Sequence, residues 1–147
     1  MKMMNKKSGF SLVELAIGLA VMTVLILAVS MSSGIRDNAR VQSAARSVQA
    51  LRSAAENYLA AGKLNYTGIS ADVLKTAKML PDNFSAVKSN PWGGDFVVAA
   101  NAANNTRYDI TLNGLAKTDA DKLTSFFNNS ANVVAFDDTK STWSATF

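Results

Sequence analysis

From Leu15 to Ile35 the chain carries no charged residue. As a helix, that window of 21 residues would be about 32 Å long at roughly 1.5 Å per residue, which matches a bilayer core of about 30 Å. The next stretch, RDNARVQSAARSVQALRSAAENYLAA at 36–61, holds neither Gly nor Pro. Within it Val41, Ala44, Val48, Leu51, Ala55 and Tyr58 recur at spacings of 3 and 4, which is one narrow apolar stripe on a helix. Gly34 is the only weak point between the two stretches, and a helical glycine costs only about 1 kcal/mol. The pattern predicts one helix from Phe10 to Ala61, stopped at Gly62. Its first half needs apolar surroundings on every side. Its second half needs one packing partner along one stripe.

That partner must be the remainder of the chain. Ser70 is placed to cap a short helix, ADVLKTAKML, stopped by Pro81. Asn90-Pro91-Trp92-Gly93-Gly94 is turn chemistry. DFVVAA at 95–100 and RYDITL at 107–112 read as strands joined by the polar loop NAANNT. Tyr108, Ile110 and Leu112 alternate with Asp109 and Thr111, the mark of one buried face. Thr118 is placed to cap a second short helix, DADKLTSFF, with acids in its first turn. NVVAF and STWSATF read as two more strands around the turn DDTK. Trp92 and Trp143 are expected in the core or at the rim of the sheet, because large aromatics dominate small cores. The expected class is α+β, a long N-terminal helix packed on a small antiparallel sheet. The expected division is 1–9 as a leader, 10–35 as the apolar helix, and 36–147 as a head including the amphipathic half of the helix.

Charge and composition exclude several functions. The net charge of +4 owes three positive charges to Lys2, Lys6 and Lys7, ahead of the apolar run; without them 12 basic residues face 11 acidic ones. Those lysines fit a cytoplasmic anchor under the positive-inside rule, and no specific nucleic-acid partner is expected. Arg36, Arg40, Arg46 and Arg52 read as a solvated helix face. With neither Cys nor His, the chain has no thiol nucleophile, thiolate zinc site or imidazole base. No enzyme activity and no cofactor are expected.

Three readings compete for residues 1–35. One is a secretory signal peptide cut after Ser30, at Ala28-Val29-Ser30, releasing or exposing a binding domain. The second is a plain membrane anchor. The third is a class III leader cut between Gly9 and Phe10, with the apolar helix retained. Glu14 discriminates among them, since a carboxylate in hydrocarbon costs roughly 2.5–3.5 kcal/mol on insertion scales. A signal peptide or simple anchor has no use for that cost, and no Lys or Arg follows Glu14 within the run. A cut before Phe10 would make the new α-amino group its nearest positive charge, in the same chain or a neighbouring copy. The plainer alternative keeps Glu14 wet at the headgroup level.

Lys6-Lys7-Ser8-Gly9-Phe10-Ser11-Leu12-Val13-Glu14-Leu15 resembles the leader and mature start of type IV pilins. The resemblance implies cleavage after Gly9 by a prepilin peptidase, N-methylation of Phe10, and pairing of Glu14 with the N-terminus of a neighbour. It implies an inner-membrane precursor and then an extracellular pilus, a homo-oligomeric filament raised by a pilus assembly machinery. The head, with Pro-Trp-Gly-Gly, two strands and ITLNGLAKTDADKLTSFF, is similar in order to type IVb pilins. Those carry a cysteine in the short helix, bridged to the C-terminal region; here Asp121 falls near that place, and the C-terminal stretch has no cysteine. The short leader and the Phe start resemble type IVa. A second member of the superfamily, the type II secretion pseudopilin, often binds calcium in its C-terminal loop, which makes Asp137 and Asp138 weak metal candidates. Adjacent acids in a turn are more commonly just solvated.

Overall fold

The computed structural model describes residues 12–147, with residues 27–33 described by their backbone only. The expected leader and Phe10 lie outside the described residues. The chain divides into two units, one ending at Arg36 and one spanning Asp37–Phe147. Helix α1, Leu12–Ala60, supplies residues to both. It closes where the pattern predicts: the amide of Gly62 donates to the carbonyl of Leu59, and Gly62 takes φ +90°, which favours a residue without a side chain.

In the head, α1 is followed by α2 (Ala71–Thr76), β1 (Phe96–Ala100), β2 (Tyr108–Asn113), α3 (Lys117–Phe127), β3 (Val133–Asp137) and β4 (Thr142–Thr146). All strand pairs are antiparallel, in the order β1-β2-β4-β3. The β3–β4 hairpin therefore returns so that β4 lies beside β2, with α3 bridging β2 to the outer strand. Phe96, Leu112, Trp143 and Phe136 form one inward row across the sheet, and Val98, Ile110, Ala145 and Val134 form the next. These rows share one core with the helical stripe. The stripe is wider than its spacing suggests. Ala45 and Ala54 are buried beside Val41, Ala44, Val48, Leu51, Ala55 and Tyr58. Four alanines on the contact face add little bulk where helix and sheet share the core, while Leu51 and Val48, both at 0% exposure, fill the centre.

Two of the expected helix ends are corrected. Ser70 does cap α2, its Oγ accepting from the amide of Val73 at 3.2 Å, but the helix stops at Thr76 rather than running to Leu80. The amides of Lys78 and Met79 donate back to the carbonyls of Lys75 and Leu74, and Lys78 takes φ +59°. This is a Schellman closure with lysine at the left-handed position, turning the chain so that Leu80 enters the core at 3% exposure. Thr118 is not the cap of α3. The helix begins at Lys117, and its N-cap, Ala116, has no side-chain bond. The Ala116 carbonyl already accepts from the amides of Asp119 and Ala120, so Thr118 lies inside the first turn.

Tyr108 carries the one buried side-chain polar atom without a hydrogen-bond partner among the described residues, its phenolic oxygen. The ring packs against Tyr66 at 4.6 Å and Phe147 at 5.6 Å. Burial pushes the phenol well above its ordinary value; the Tyr66 hydroxyl and the Glu56 carboxylate add to this, and the Arg52 guanidinium opposes it by its charge and by a contact that falls short of hydrogen-bond geometry. Burial and then Glu56 also raise Tyr66. A phenol raised on folding leaves stability intact below its unfolded value of about 10, and stability falls as pH rises above that. Tyr108→Phe removes an unsatisfied hydroxyl at constant shape. Its melting temperature at neutral pH should equal or exceed the parent's, and its loss of stability above about pH 10 should be smaller. Destabilisation by more than about 1 kcal/mol at pH 7 would mean that the hydroxyl is bonded after all.

Candidate processing and assembly site

The unit ending at Arg36 presents apolar side chains on all sides. Leu12, Val13, Leu15, Ile17, Leu19, Val21, Met22, Val24, Leu25 and Ile26 are all exposed, the least of them by 53%. A helix apolar all round is stable only inside something equally apolar. Among the described residues no helix is long and apolar enough to cross a membrane; the expected segment at 10–35 includes Phe10 and Ser11, outside the described residues, and the side chains of 27–33.

Glu14 lies in the first turn of α1, where a carboxylate suits the helix dipole. It is exposed and makes no ion pair among the described residues. Glu14 borders a shallow, open apolar hollow lined by Leu15, Gly18, Leu19 and Met22. The hollow exists because Gly18, one turn after Glu14, has no side chain, and a Cβ built there meets nothing within 4 Å. The surface thus offers a single acid set in an apolar stripe. That surface can take one cation attached to something greasy.

In the head, the structure assigns work to residues that turn and strand patterns did not single out. Asn90 is 4% exposed and uses its whole amide. Its Oδ1 accepts from the amides of Trp92 (3.0 Å) and Gly94 (2.8 Å), and its Nδ2 donates to the carbonyls of Asn113 (2.7 Å) and Asp95 (3.3 Å). The Pro-Trp-Gly-Gly turn is thereby tied to the end of β2. Trp92 Nε1 then donates to Asp119 Oδ2 at 2.8 Å, and Trp143 Nε1 to Thr124 Oγ1 at 3.1 Å. Two indoles hold α3 in a chain without cysteine. Trp143 is fully buried and Trp92 half-buried, as expected of core and rim. Asp121 is exposed and pairs with Lys117 at 3.5 Å. Nothing in the string NPWGG marks Asn90 as the organiser, because asparagine in a turn is ordinary; its partner Asn113 lies 23 residues away.

Asp137 Oδ1 accepts from the amides of Thr139 and Lys140, at 3.0 and 3.2 Å, closing the β3–β4 turn. Among the described residues no group of three or more acids could hold a metal ion. The arginines diverge: Arg36, Arg40 and Arg46 are exposed, whereas Arg52 bonds Glu56 at 2.9 Å and lies 5.2 Å from the Phe147 ring.

A family model described as Bundlin matches residues 33–142, well over half of the chain. The chain belongs to the bundlin family. A second model, the prokaryotic N-terminal methylation motif, matches residues 4–30. A search of the curated proteins returns no match. Together the two matches make this a type IV pilin-like chain, and the families found are structural ones. The four-stranded antiparallel sheet and the long helix agree with that fold. In this bundlin-family chain the methylation-motif match covers the first part of the exposed apolar helix, including its lone acid, Glu14. Gly9 and Phe10, the expected cleavage pair, lie outside the described residues.

Proposed function

We propose that this chain is the subunit of a type IV pilus, stored in the inner membrane, cut between Gly9 and Phe10 by a prepilin peptidase, and drawn into a helical surface filament. The observation that carries the reading is the methylation-motif match over residues 4–30, which contains Gly9, Phe10 and Glu14 in one run. Leader removal creates an α-amino group four residues before Glu14. In the filament core, apolar helices of other copies replace lipid, and the amine of Phe10 pairs with Glu14 of a neighbour. A head-to-tail contact that does not close on itself gives an open helix. Asp137 Oδ1 closes its own turn, which supports reading Asp137 as a turn residue; the type II secretion pseudopilin stands as the alternative reading.

Glu14→Gln tests the pairing. It keeps the side chain's shape and lowers its cost in lipid. The precursor should insert and be cleaved normally, with mature subunit starting at Phe10 by N-terminal sequencing. Filament yield should collapse, because an amine entering the core without its counter-charge costs roughly 3–5 kcal/mol. Abundant filaments of Glu14→Gln subunits alone would reject the pairing. A mature start at Met31 would reject the class III cut.

A further inference from the structure

Phe126 is the one exposed aromatic among the described residues, at 52%. Helix α3 buries Ala120, Leu123 and Phe127 along one face, and Phe126 stands about 100° away from Phe127 around the helix. No core requirement places it there. It projects beside the start of the head's helical stripe, next to Asn38, Val41 and Gln42.

At the other end of that stripe an apolar cleft of about 450 Å³ opens between the last turn of α1 and α2. Tyr58, Val73, Ala77 and Met79 line it, with Lys63 and Asp72 as its charged members. A cleft of this size readily takes one aromatic side chain. Val41 and Tyr58 are 17 residues apart on α1, about 26 Å along a helix. Knob and cleft therefore cannot meet within one head.

One charge beside each can pair with the other. Lys122, one turn before Phe126, donates to Asn38 Oδ1 at 3.1 Å and makes no ion pair among the described residues. The Asp72 carboxylate, exposed at the cleft, makes none either. The other charged lining residue, Lys63, sits 5.7 Å from the Tyr58 ring, where an incoming aromatic face would also meet it.

We propose that Phe126 of one copy enters the Tyr58–Met79 cleft of the next, with Lys122 meeting Asp72 across the contact. The contact is heterologous, since different surfaces of the two copies meet, so it repeats as an open series. This proposal rests on the filament reading above and names a head contact within it. An aromatic anchor in an apolar pocket supplies the affinity, and the charge pair sets the register.

The absence of cysteine makes engineered thiols unambiguous. Asn129→Cys places a thiol one turn after Phe126, and Thr76→Cys places one in the cleft lining. Sheared filaments of the full-length double variant, treated with a short bismaleimide, should run as a ladder of multimers on a denaturing gel. Each single variant should stay monomeric. Double-variant filaments that remain monomeric, or single variants that link as dimers, overturn the contact while leaving the filament reading standing. Links from Thr76→Cys to a different protein overturn it too. If the thiols block assembly, a charge exchange decides: Lys122→Asp should lower filament yield several-fold, and adding Asp72→Lys should restore it. No restoration overturns the contact. Absence of filaments from the unmodified chain overturns the underlying reading instead.

Discussion

Gly94→Ala should destabilise the head by about 3 kcal/mol or more. A Cβ at position 94 would stand 2.1 Å from the carbonyl oxygen of Asn113, 2.8 Å from its carbonyl carbon and 2.9 Å from Asn90 Nδ2. Two of those atoms are backbone at the end of β2, which is held on its other side by β4. The clash cannot be relieved by a rotamer. Either β1 and β2 separate at that end, or the Asn90 amide gives up its bonds to Asn113 and Gly94, leaving buried polar groups without partners. Gly93→Ala is the control in the same turn. Gly93 has φ +82° but open space around it, so that variant should lose only roughly 1–2 kcal/mol, the cost of a left-handed residue. The measurement is urea unfolding of a head fragment starting at Arg36. Equal losses in the two variants would mean that backbone conformation, not close approach, requires glycine in this turn.

Leu51→Ala should cost roughly 2–5 kcal/mol, the range for emptying a fully buried leucine site. Leu51 is 0% exposed on the inner stripe of α1 and belongs to the core formed with the sheet. The neighbouring helix positions on that face include Ala54 and Ala55, which have no side-chain length with which to fill the hole. Recovery by collapse is therefore small and the upper half of the range is expected. For a domain of this size the melting temperature should fall by about 10 °C or more. A change below about 1 °C would mean that the stripe faces solvent or another subunit.

Much of this was legible along the chain. The α1 stripe, the Gly62 stop, the Ser70 cap, the four strands and the alternation of Tyr108, Ile110 and Leu112 all depend on neighbours a few residues away, and local spacing encodes them. The N-terminal run from Lys6 to Leu15 is likewise a linear motif, and it falls within the methylation-motif match over residues 4–30. The early end of α2 was not legible, because Lys78 enters the left-handed region to bring Leu80 into the core, and that demand comes from the core. The start of α3 at Lys117 was not legible either, because its N-cap, Ala116, has no capping side chain to mark it in the sequence.

The sequence by itself determined where apolar surface is produced: an apolar helical run with one acid at its start, and a stripe that needs a sheet. It also determined the chemistry closed to the chain, since no Cys or His is present anywhere. Tertiary structure alone decided that β4 inserts beside β2, that Asn90 ties two segments 23 residues apart, and that Trp92 reaches Asp119 across 27. It decided as well that Phe126 stays outside while Phe127 goes in. The physical reason is separation along the chain. Periodicity reports which face of an element is apolar, but which distant atoms arrive at that face is settled only when the whole core closes at packing density.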